Sequence, residues 1–411
     1  MTSTSGGSVL TTIGDIMPKK DPLLEELEER ISEGPVVFTP DEEFLERLKE
    51  KEEVQEEAPQ LEVEQHRPLR EREHDGRERN KNCRREDEGK FAEMRKENGY
   101  FDPLNVKIWS VGNERSGRDY IHKVRDAGQE MKKMDSSILV TCSGIHGNSR
   151  IDPYLFEAAG EYLDYISAHQ YWIENWQEHS RPNYLSCMML SEKPELYIKN
   201  IISQIQTAEK KGQINEGQIK IAFDEWNLRS WHHPGFQRFE KVDYKDPEII
   251  KLIKARDKSL DPSIYNLSDA LFSASFLNSC LRNSEYISMA NIAPLVNQTG
   301  PLYVHPEGIV RRTHFHTMSM YVNQLEEYII NTKTTGSKLT YGKDSVSVID
   351  AIATVDKKGE KWAISLVNRH PSENLECKVI MGDKLLNGIY KATILTGETT
   401  DSFNDIEHPN R

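Results

Sequence analysis

The sequence contains no run of about 18 consecutive apolar residues, the shortest length that could cross a membrane as a helix. Its first residues also lack the basic stretch followed by an apolar stretch that marks a secretory signal. Acidic residues outnumber basic ones by 67 to 53, and no basic stripe dominates the part that looks folded. These absences predict a cytoplasmic protein with neither a membrane nor a nucleic acid as partner.

Metal-binding and disulfide patterns are missing as well. The five cysteines are scattered, odd in number and never spaced as CxxC, which favours a reducing compartment over a disulfide framework. His232 and His233 are adjacent and have no acidic partner at a suitable spacing. His314 and His316 alternate, as on one face of a strand, but no third ligand accompanies them. With no glycine-rich phosphate loop either, we predict neither a metal site nor a cofactor.

Residues 1–89 differ in composition from the rest of the chain. Residues 1–12 are rich in Ser, Thr and Gly, and residues 64–89 carry many charges with almost no apolar side chains. Such a segment buries too little apolar surface to offset the entropy lost on ordering. We therefore predict that residues 1–89 form a charged leader that is disordered or a solvated helix.

From residue 90 onward, apolar residues recur at helical and strand spacings in turn. Residues 90–321 alternate strand-like and helix-like segments in about five units, which is typical of a parallel α/β sheet or barrel. Residues 322–411 instead show short strand-like segments separated by turn residues, which predicts a small antiparallel β-sandwich. The predicted fold class is thus α/β, an incomplete (β/α)8-type barrel followed by a sandwich.

Two of the strand-like segments end in carboxylates. Residues 106–114 read VKIWSVGNE and end at Glu114, and residues 219–227 read IKIAFDEWN and contain Glu225. In a (β/α)8 barrel the chemistry lies at the carboxyl ends of the strands, so two such glutamates are expected to converge on one pocket. A glycoside-cleaving site needs this arrangement, with one carboxylic acid protonating the leaving oxygen and one carboxylate attacking the anomeric carbon.

These motifs, with SAHQYW at residues 167–172 and the sandwich after them, resemble the α-L-arabinofuranosidases of glycoside hydrolase family 51. The resemblance covers about residues 91–411 and implies a retaining enzyme that acts on arabinofuranosyl-containing carbohydrates and forms homo-oligomers. It implies Glu114 as acid/base, Glu225 as nucleophile, and His169 and Tyr171 as sugar-binding residues. The first three strand-helix units of the family's barrel have no counterpart here, and the sandwich is expected to be cut short at residue 411.

Three further residues are assigned to substrate binding: Asn113, through the sugar 2-hydroxyl, and the aromatic Trp172 and Trp226 beside the strand ends. For Trp226, packing in the core is the open alternative. Asp224 is expected to be structural, because strict alternation along a strand turns it away from Glu225. Two other functions stay open: a related retaining glycosidase of clan A acting on xylan or glucan, and a catalytically inactive fragment that acts through protein interaction.

Overall fold

The computed structural model describes residues 8–9, 89–102, 106–146, 149–172, 184–228, 247, 265–297, 299–305, 307–381, 384–385 and 388–409. Most of the predicted charged leader, residues 1–89, lies outside these ranges, as do His232 and His233. Within the described part, no helix is both long enough and apolar enough to cross a membrane.

The first part of the chain alternates helices and strands. In chain order its elements are β1 (Ser8–Val9), α1 (Lys90–Glu97), β2 (Ile108–Val111), α2 (Arg118–Met134), β3 (Leu139–His146), α3 (Pro153–Ala159), β4 (Tyr165–Trp172), α4 (Tyr184–Leu190), α5 (Lys193–Lys210), β5 (Lys220–Leu228), α6 (Leu267–Arg282) and β6 (Ile287–Ile292). A short 3-10 turn, Gly160–Tyr162, follows α3.

Strands β2 to β6 form one five-stranded sheet in sequential order, and every neighbouring pair is parallel. The prediction of about five strand-helix units is confirmed. Each parallel step needs a crossover connection, and the helices that supply it cover the sheet with apolar residues. Helix α5, for example, buries Ile198, Ile201 and Ile205 completely. In the described residues β2 and β6 each pair on one side only, so the sheet is an incomplete barrel.

Helix α6 is the central helix of the molecule, because residues from Leu267 to Leu281 are all buried. Its start is fixed by a capping box, in which Asn266 accepts from the backbone N–H of Ser268 and Asp269 accepts from the backbone N–H of Asn266. A helix buried on all sides must pack against several layers at once. Here α6 packs against α4, α5, α7 and the strands that follow.

The remaining elements are mostly short strands in antiparallel pairs. They are β7 (Leu302–His305), β8 (Gly308–Arg311), α7 (Thr313–Gln324), β9 (Tyr328–Ile330), β10 (Lys338–Tyr341), β11 (Asp344–Ser347), β12 (Ile349–Val355), β13 (Trp362–Asn368), β14 (Ile380–Met381), β15 (Lys384–Leu385) and β16 (Ile394–Leu395). Strands β13, β12 and β9 form a sheet in that order, and β16 pairs with β1. The antiparallel character predicted for this region is confirmed.

Two details of the sequence prediction are wrong. His314 and His316 do not alternate along a strand, because both belong to helix α7, where His314 is fully buried beside Tyr265. Among the strand-like segments predicted in residues 322–411, the apolar alternation of residues 345–353 predicts one strand, but the structure divides it between β11 and β12 at Val348. A short apolar alternation does not distinguish these cases without the packing partners.

Candidate active site

Glu114 follows β2 at the carboxyl edge of the parallel sheet, in a turn that the surrounding residues hold tightly. Its backbone has φ 48°, a left-handed value that is uncommon for a residue other than glycine. Gly112 has φ 83°, and a Cβ there would lie 3.0 Å from the ring of Tyr120. The Tyr120 hydroxyl donates to the carbonyl of Val111 and accepts from the backbone N–H of Ser143 at 2.8 Å. Together these contacts fix the turn that presents Glu114.

His169, on β4, lies between the two predicted catalytic glutamates. Its Nδ1 is 3.2 Å from Glu114 Oε1 and 3.4 Å from Glu225 Oε2. The imidazole is only 4% exposed, whereas the side chains of Glu114 and Glu225 are 47% and 30% exposed. A buried ring therefore joins two carboxylates that both reach solvent.

Tyr171, two residues further along β4, donates a 2.9 Å hydrogen bond from its hydroxyl to Glu225 Oε2. Because alternate residues of a strand share a face, Ser167, His169 and Tyr171 all point toward the same side of the sheet. The structure thus brings together four of the predicted site residues: Glu114, His169, Tyr171 and Glu225. Asn113 is exposed and adjoins Glu114 in the turn.

Asp224 also reaches this cluster, so the expectation that it turns away from the site is wrong. Its Oδ1 lies 3.4 Å from His169 Nε2 and accepts a 2.7 Å hydrogen bond from Ser167 Oγ. The register of β5 shifts against both neighbouring strands near this point. Such an irregularity interrupts strict alternation and re-aims side chains, which lets Asp224 and Glu225 contact the same imidazole.

The carboxylates around His169 determine its charge. Burial by itself lowers the pKa of His169, but hydrogen bonds to Asp224 and Glu114, with the charges of Asp224 and Glu225, outweigh it and raise the pKa to about 9. The ring is therefore an imidazolium at neutral pH. It can donate to carboxylates on both sides, since both nitrogens of the charged ring carry hydrogen.

The same cluster contains the donor atoms that a metal ion would need. Among the described residues, one ligand atom each from Glu114, His169 and Glu225 lie within 4.8 Å of one another. A ligating imidazole must be neutral, however, and the raised pKa of His169 opposes that state. The arrangement therefore suits an ion-paired cluster better than a metal centre.

The two tryptophans assigned to substrate binding lie in the core instead. Trp226 is 0% exposed and stacks on Phe276 of α6 with ring centroids 4.1 Å apart. Trp172 is 6% exposed and packs edge-on against Tyr197 of α5. Both rings project toward the helices, because α5 and α6 cover that face of the sheet. The packing alternative therefore describes Trp226, whose complete burial contradicts a direct sugar contact. Trp172 also belongs to the core.

Sequence reasoning did not identify Ser167 or the role of Asp224. The spacing Ser167, His169, Tyr171 was a usable signal, since residues two apart on a strand face the same way. No comparable signal existed for Asp224, because its orientation depends on a register shift between strands.

Comparisons with known proteins agree with this architecture. The family model of the α-L-arabinofuranosidase C-terminal domain matches residues 224–411. The intracellular exo-α-(1→5)-L-arabinofuranosidase of Halalkalibacterium halodurans is 27% identical over 307 residues, covering 70% of this chain and 57% of the relative. The α-L-arabinofuranosidase C of Emericella nidulans is 26% identical over 320 residues, covering 70% and 58%.

Solved structures share the fold. A family 51 α-L-arabinofuranosidase from Bifidobacterium longum aligns with a TM-score of 0.63 at 19% identity, covering 81% of this chain and 67% of that one. The α-L-arabinofuranosidase of Thermotoga maritima, solved as an arabinose complex, aligns with a TM-score of 0.59 at 22% identity, covering 82% and 67%.

The chain spans less than three fifths of the length of these two curated relatives, 57% and 58%. The part that it does span includes both the parallel sheet and the C-terminal domain. The sequence matches extend over both parts, and the structural neighbours have the same fold. Together they show that the chain is similar in sequence to α-L-arabinofuranosidases and shares the fold of solved structures from glycoside hydrolase family 51.

Proposed function

We propose that this protein releases terminal α-L-arabinofuranosyl residues from arabinose-containing oligosaccharides or polysaccharides, with retention of anomeric configuration. The observation that carries the proposal is the distance between the two glutamates, since their facing carboxylate oxygens lie within 4.8 Å of each other. Retaining glycosidases hold their two carboxyl groups about 5–5.5 Å apart, whereas inverting ones need about 6.5–9.5 Å to admit a water.

The proposed reaction has two steps. Glu225 attacks the anomeric carbon, and the bond to the leaving oxygen breaks as that oxygen takes the proton of Glu114. Water then attacks the anomeric carbon of the glycosyl ester and gives its proton to Glu114, which releases arabinose and restores Glu225. Each carboxylate thus returns to its starting state.

Neighbouring residues support these roles. Tyr171 donates to Glu225 Oε2, which leaves the other oxygen of the nucleophile for the attack. His169 Nδ1 lies within reach of both glutamates and can donate a hydrogen bond to whichever of the two is ionised. Asn113 is placed beside Glu114 and is proposed to bond the sugar 2-hydroxyl, a contact that strengthens in the transition state.

A cavity of about 220 Å³ lies on the Glu114 side of the site. Its lining includes Arg115 and Arg150, which follow strands β2 and β3, and Ser143, which lies on β3. Because Glu114 is the proposed acid, the departing part of the substrate would lie on this side. The names of the curated relatives further support an arabinofuranosyl substrate, including exo-cleavage of α-(1→5) links in the Halalkalibacterium halodurans protein.

The same relative's name, with the scattered cysteines, supports a cytoplasmic location. One observation favours the alternative of a non-catalytic interacting protein. Strand β2 pairs only with β3 among the described residues, and Ile108 on it is 42% exposed. An open sheet edge with apolar side chains is a surface on which another chain can pair.

Hydrolysis of an aryl α-L-arabinofuranoside tests the proposal directly. The assay compares the unaltered chain with Glu225→Ala and Glu114→Ala, and uses Glu157→Ala, an exposed glutamate of α3, as the matched control. We expect both site variants to lose activity and the control to keep it. Added azide should restore turnover to Glu114→Ala on a substrate whose leaving group needs no acid, with retained configuration in the azide adduct.

A folded chain without activity would refute the enzymatic proposal and favour the interacting protein. Hydrolysis of an aryl xyloside or glucoside in preference to the arabinofuranoside would assign the chain to another substrate class. An inverted product would contradict the two-step mechanism.

A further inference from the structure

Asp224 takes no part in the steps proposed above, yet its carboxylate is firmly placed against the site. Ser167 Oγ donates to Asp224 Oδ1 at 2.7 Å, and Ser167 is only 3% exposed. The same oxygen faces His169 Nε2 at 3.4 Å. A buried hydroxyl thus holds the carboxylate in position, with the imidazole as its other partner.

The two nitrogens of His169 face different carboxylates. Nε2 faces Asp224, while Nδ1 faces Glu114 and Glu225. An ionised carboxylate can only accept hydrogen bonds, so the contact with Asp224 requires a hydrogen on Nε2. Nδ1 is then the nitrogen that can exchange a proton with Glu114, whose Oε1 is 3.2 Å away.

Other titratable groups around the ring do not compete for it. The Tyr171 hydroxyl on β4 donates to Glu225. On β3, burial and the charge of Asp224 raise the pKa of the Cys142 thiol to about 12, which keeps it neutral. Of the groups that the structure describes, the three carboxylates are therefore the ones that decide the protonation of His169.

We propose that Asp224, held by Ser167, is a positioning residue that fixes hydrogen on Nε2 of His169 and so reserves Nδ1 for the two catalytic glutamates. The proposal rests on the proposed function, in which Glu114 must gain and lose a proton in each cycle. A carboxylate on the far side of an imidazole fixes both its tautomer and its orientation, and its charge favours the imidazolium.

The isosteric Asp224→Asn variant tests this role. It removes the negative charge but keeps the shape, so the pKa of His169, about 9 in the intact chain, should fall by about one unit or more. Since Nδ1 shares its proton with Glu114, the basic limb of the kcat/KM profile should move to lower pH with it. The loss should appear mainly in kcat, because Asp224 is proposed to act through the His169 ring, which it contacts at 3.4 Å.

Two measurements on the full chain follow this shift. The first is the NMR titration of 15N-labelled histidine, which reports the tautomer and pKa of His169 without any substrate. The second is the pH profile for an aryl α-L-arabinofuranoside. Ser167→Ala should give a smaller shift in the same direction. Asp126→Asn, the same change at an exposed position on α2, is the matched control and should alter neither result.

An unchanged His169 tautomer and pKa in Asp224→Asn would overturn the proposal, whatever the activity. A shifted pKa with an unshifted basic limb would also overturn it, because the ring would then be uncoupled from Glu114. If the unaltered chain folds and does not hydrolyse the substrate, the proposed function fails. In that case the NMR titration, which needs no substrate, still tests whether Asp224 controls the tautomer and pKa of His169.

Discussion

A buried charge network joins the antiparallel domain to helix α6, and its removal gives a prediction about stability. Asp350 on β12 binds Arg369 at 3.1 Å and Arg282 of α6 at 2.8 Å. The side chains of Asp350 and Arg369 are 9% and 2% exposed. Asn278 of α6 adds a further hydrogen bond to Asp350 at 3.1 Å.

Asp350→Asn keeps the shape of the side chain and leaves Arg369 buried without its main counter-charge. Breaking a buried ion pair on one side costs about 3–5 kcal/mol in the free energy of unfolding. Arg369 keeps weaker contacts to Glu192 and to the carbonyl of Ser347, at 3.3 and 3.2 Å. We therefore expect the free energy of unfolding to fall by about 3 kcal/mol, the lower end of this range, as measured by urea unfolding at pH 7.

Lys361→Met is the control, because it breaks the exposed pair of Lys361 with Glu326, in which the lysine is 74% exposed. Solvent screens such a pair, and the expected loss is about 1 kcal/mol or less. The double variant Asp350→Asn/Arg369→Met should be more stable than Asp350→Asn alone, since no buried charge is left without a partner. Equal stability of Asp350→Asn and Lys361→Met would refute the reasoning.

The pH dependence provides a second check of the same network. Burial raises the pKa of Asp350, but the charges of Arg369 and Arg282 outweigh it, so the net shift is downward. Because the folded pKa lies below the unfolded value of about 3.9, the ion pair stabilises the fold fully above that value. Its contribution is lost as the pH falls through the folded pKa. The stability gap between the intact chain and Asp350→Asn should therefore be constant near neutrality and narrow below about pH 4.

Three further variants test the site geometry. Tyr171→Phe removes the 2.9 Å hydrogen bond to Glu225 and should lower kcat/KM by about 10- to 100-fold, with unchanged circular dichroism; an unchanged rate would show that this bond does not orient the nucleophile. Trp226→Phe should lower the melting temperature and leave KM unchanged, because the ring is fully buried; a raised KM would restore its sugar-binding assignment. Gly112→Ala forces a Cβ onto a backbone with φ 83° and should reduce kcat, because it displaces Glu114. Full activity of this variant would show that the turn tolerates the change.

Much of the parallel sheet could be predicted because its information is local. Strand β4, for example, follows from a short apolar run bounded by turns, and the start of helix α6 from the two candidate caps in the sequence, Asn266 and Ser268, of which the structure uses Asn266. Helix α4 was not predicted at all. Its buried residues surround the helix, so it carries no clear polar face.

Within the site, the sequence by itself determined that Glu114 and Glu225 lie near the carboxyl ends of strands, on one edge of the sheet. Parallel strands bring their carboxyl ends together, so their approach follows from order along the chain. The alternation of His169 and Tyr171 on β4 likewise placed both on one face.

Only the tertiary structure decided which side chains meet at that edge. A register shift between β4 and β5 turned Asp224 toward His169, and the positions of α5 and α6 turned Trp172 and Trp226 into the core. The physical reason is that strand and helix periods depend on neighbours within the chain, whereas register and layer packing depend on residues distant in sequence. The charge of His169 was likewise decided by the tertiary structure, because its pKa is set by carboxylates from two other segments of the chain.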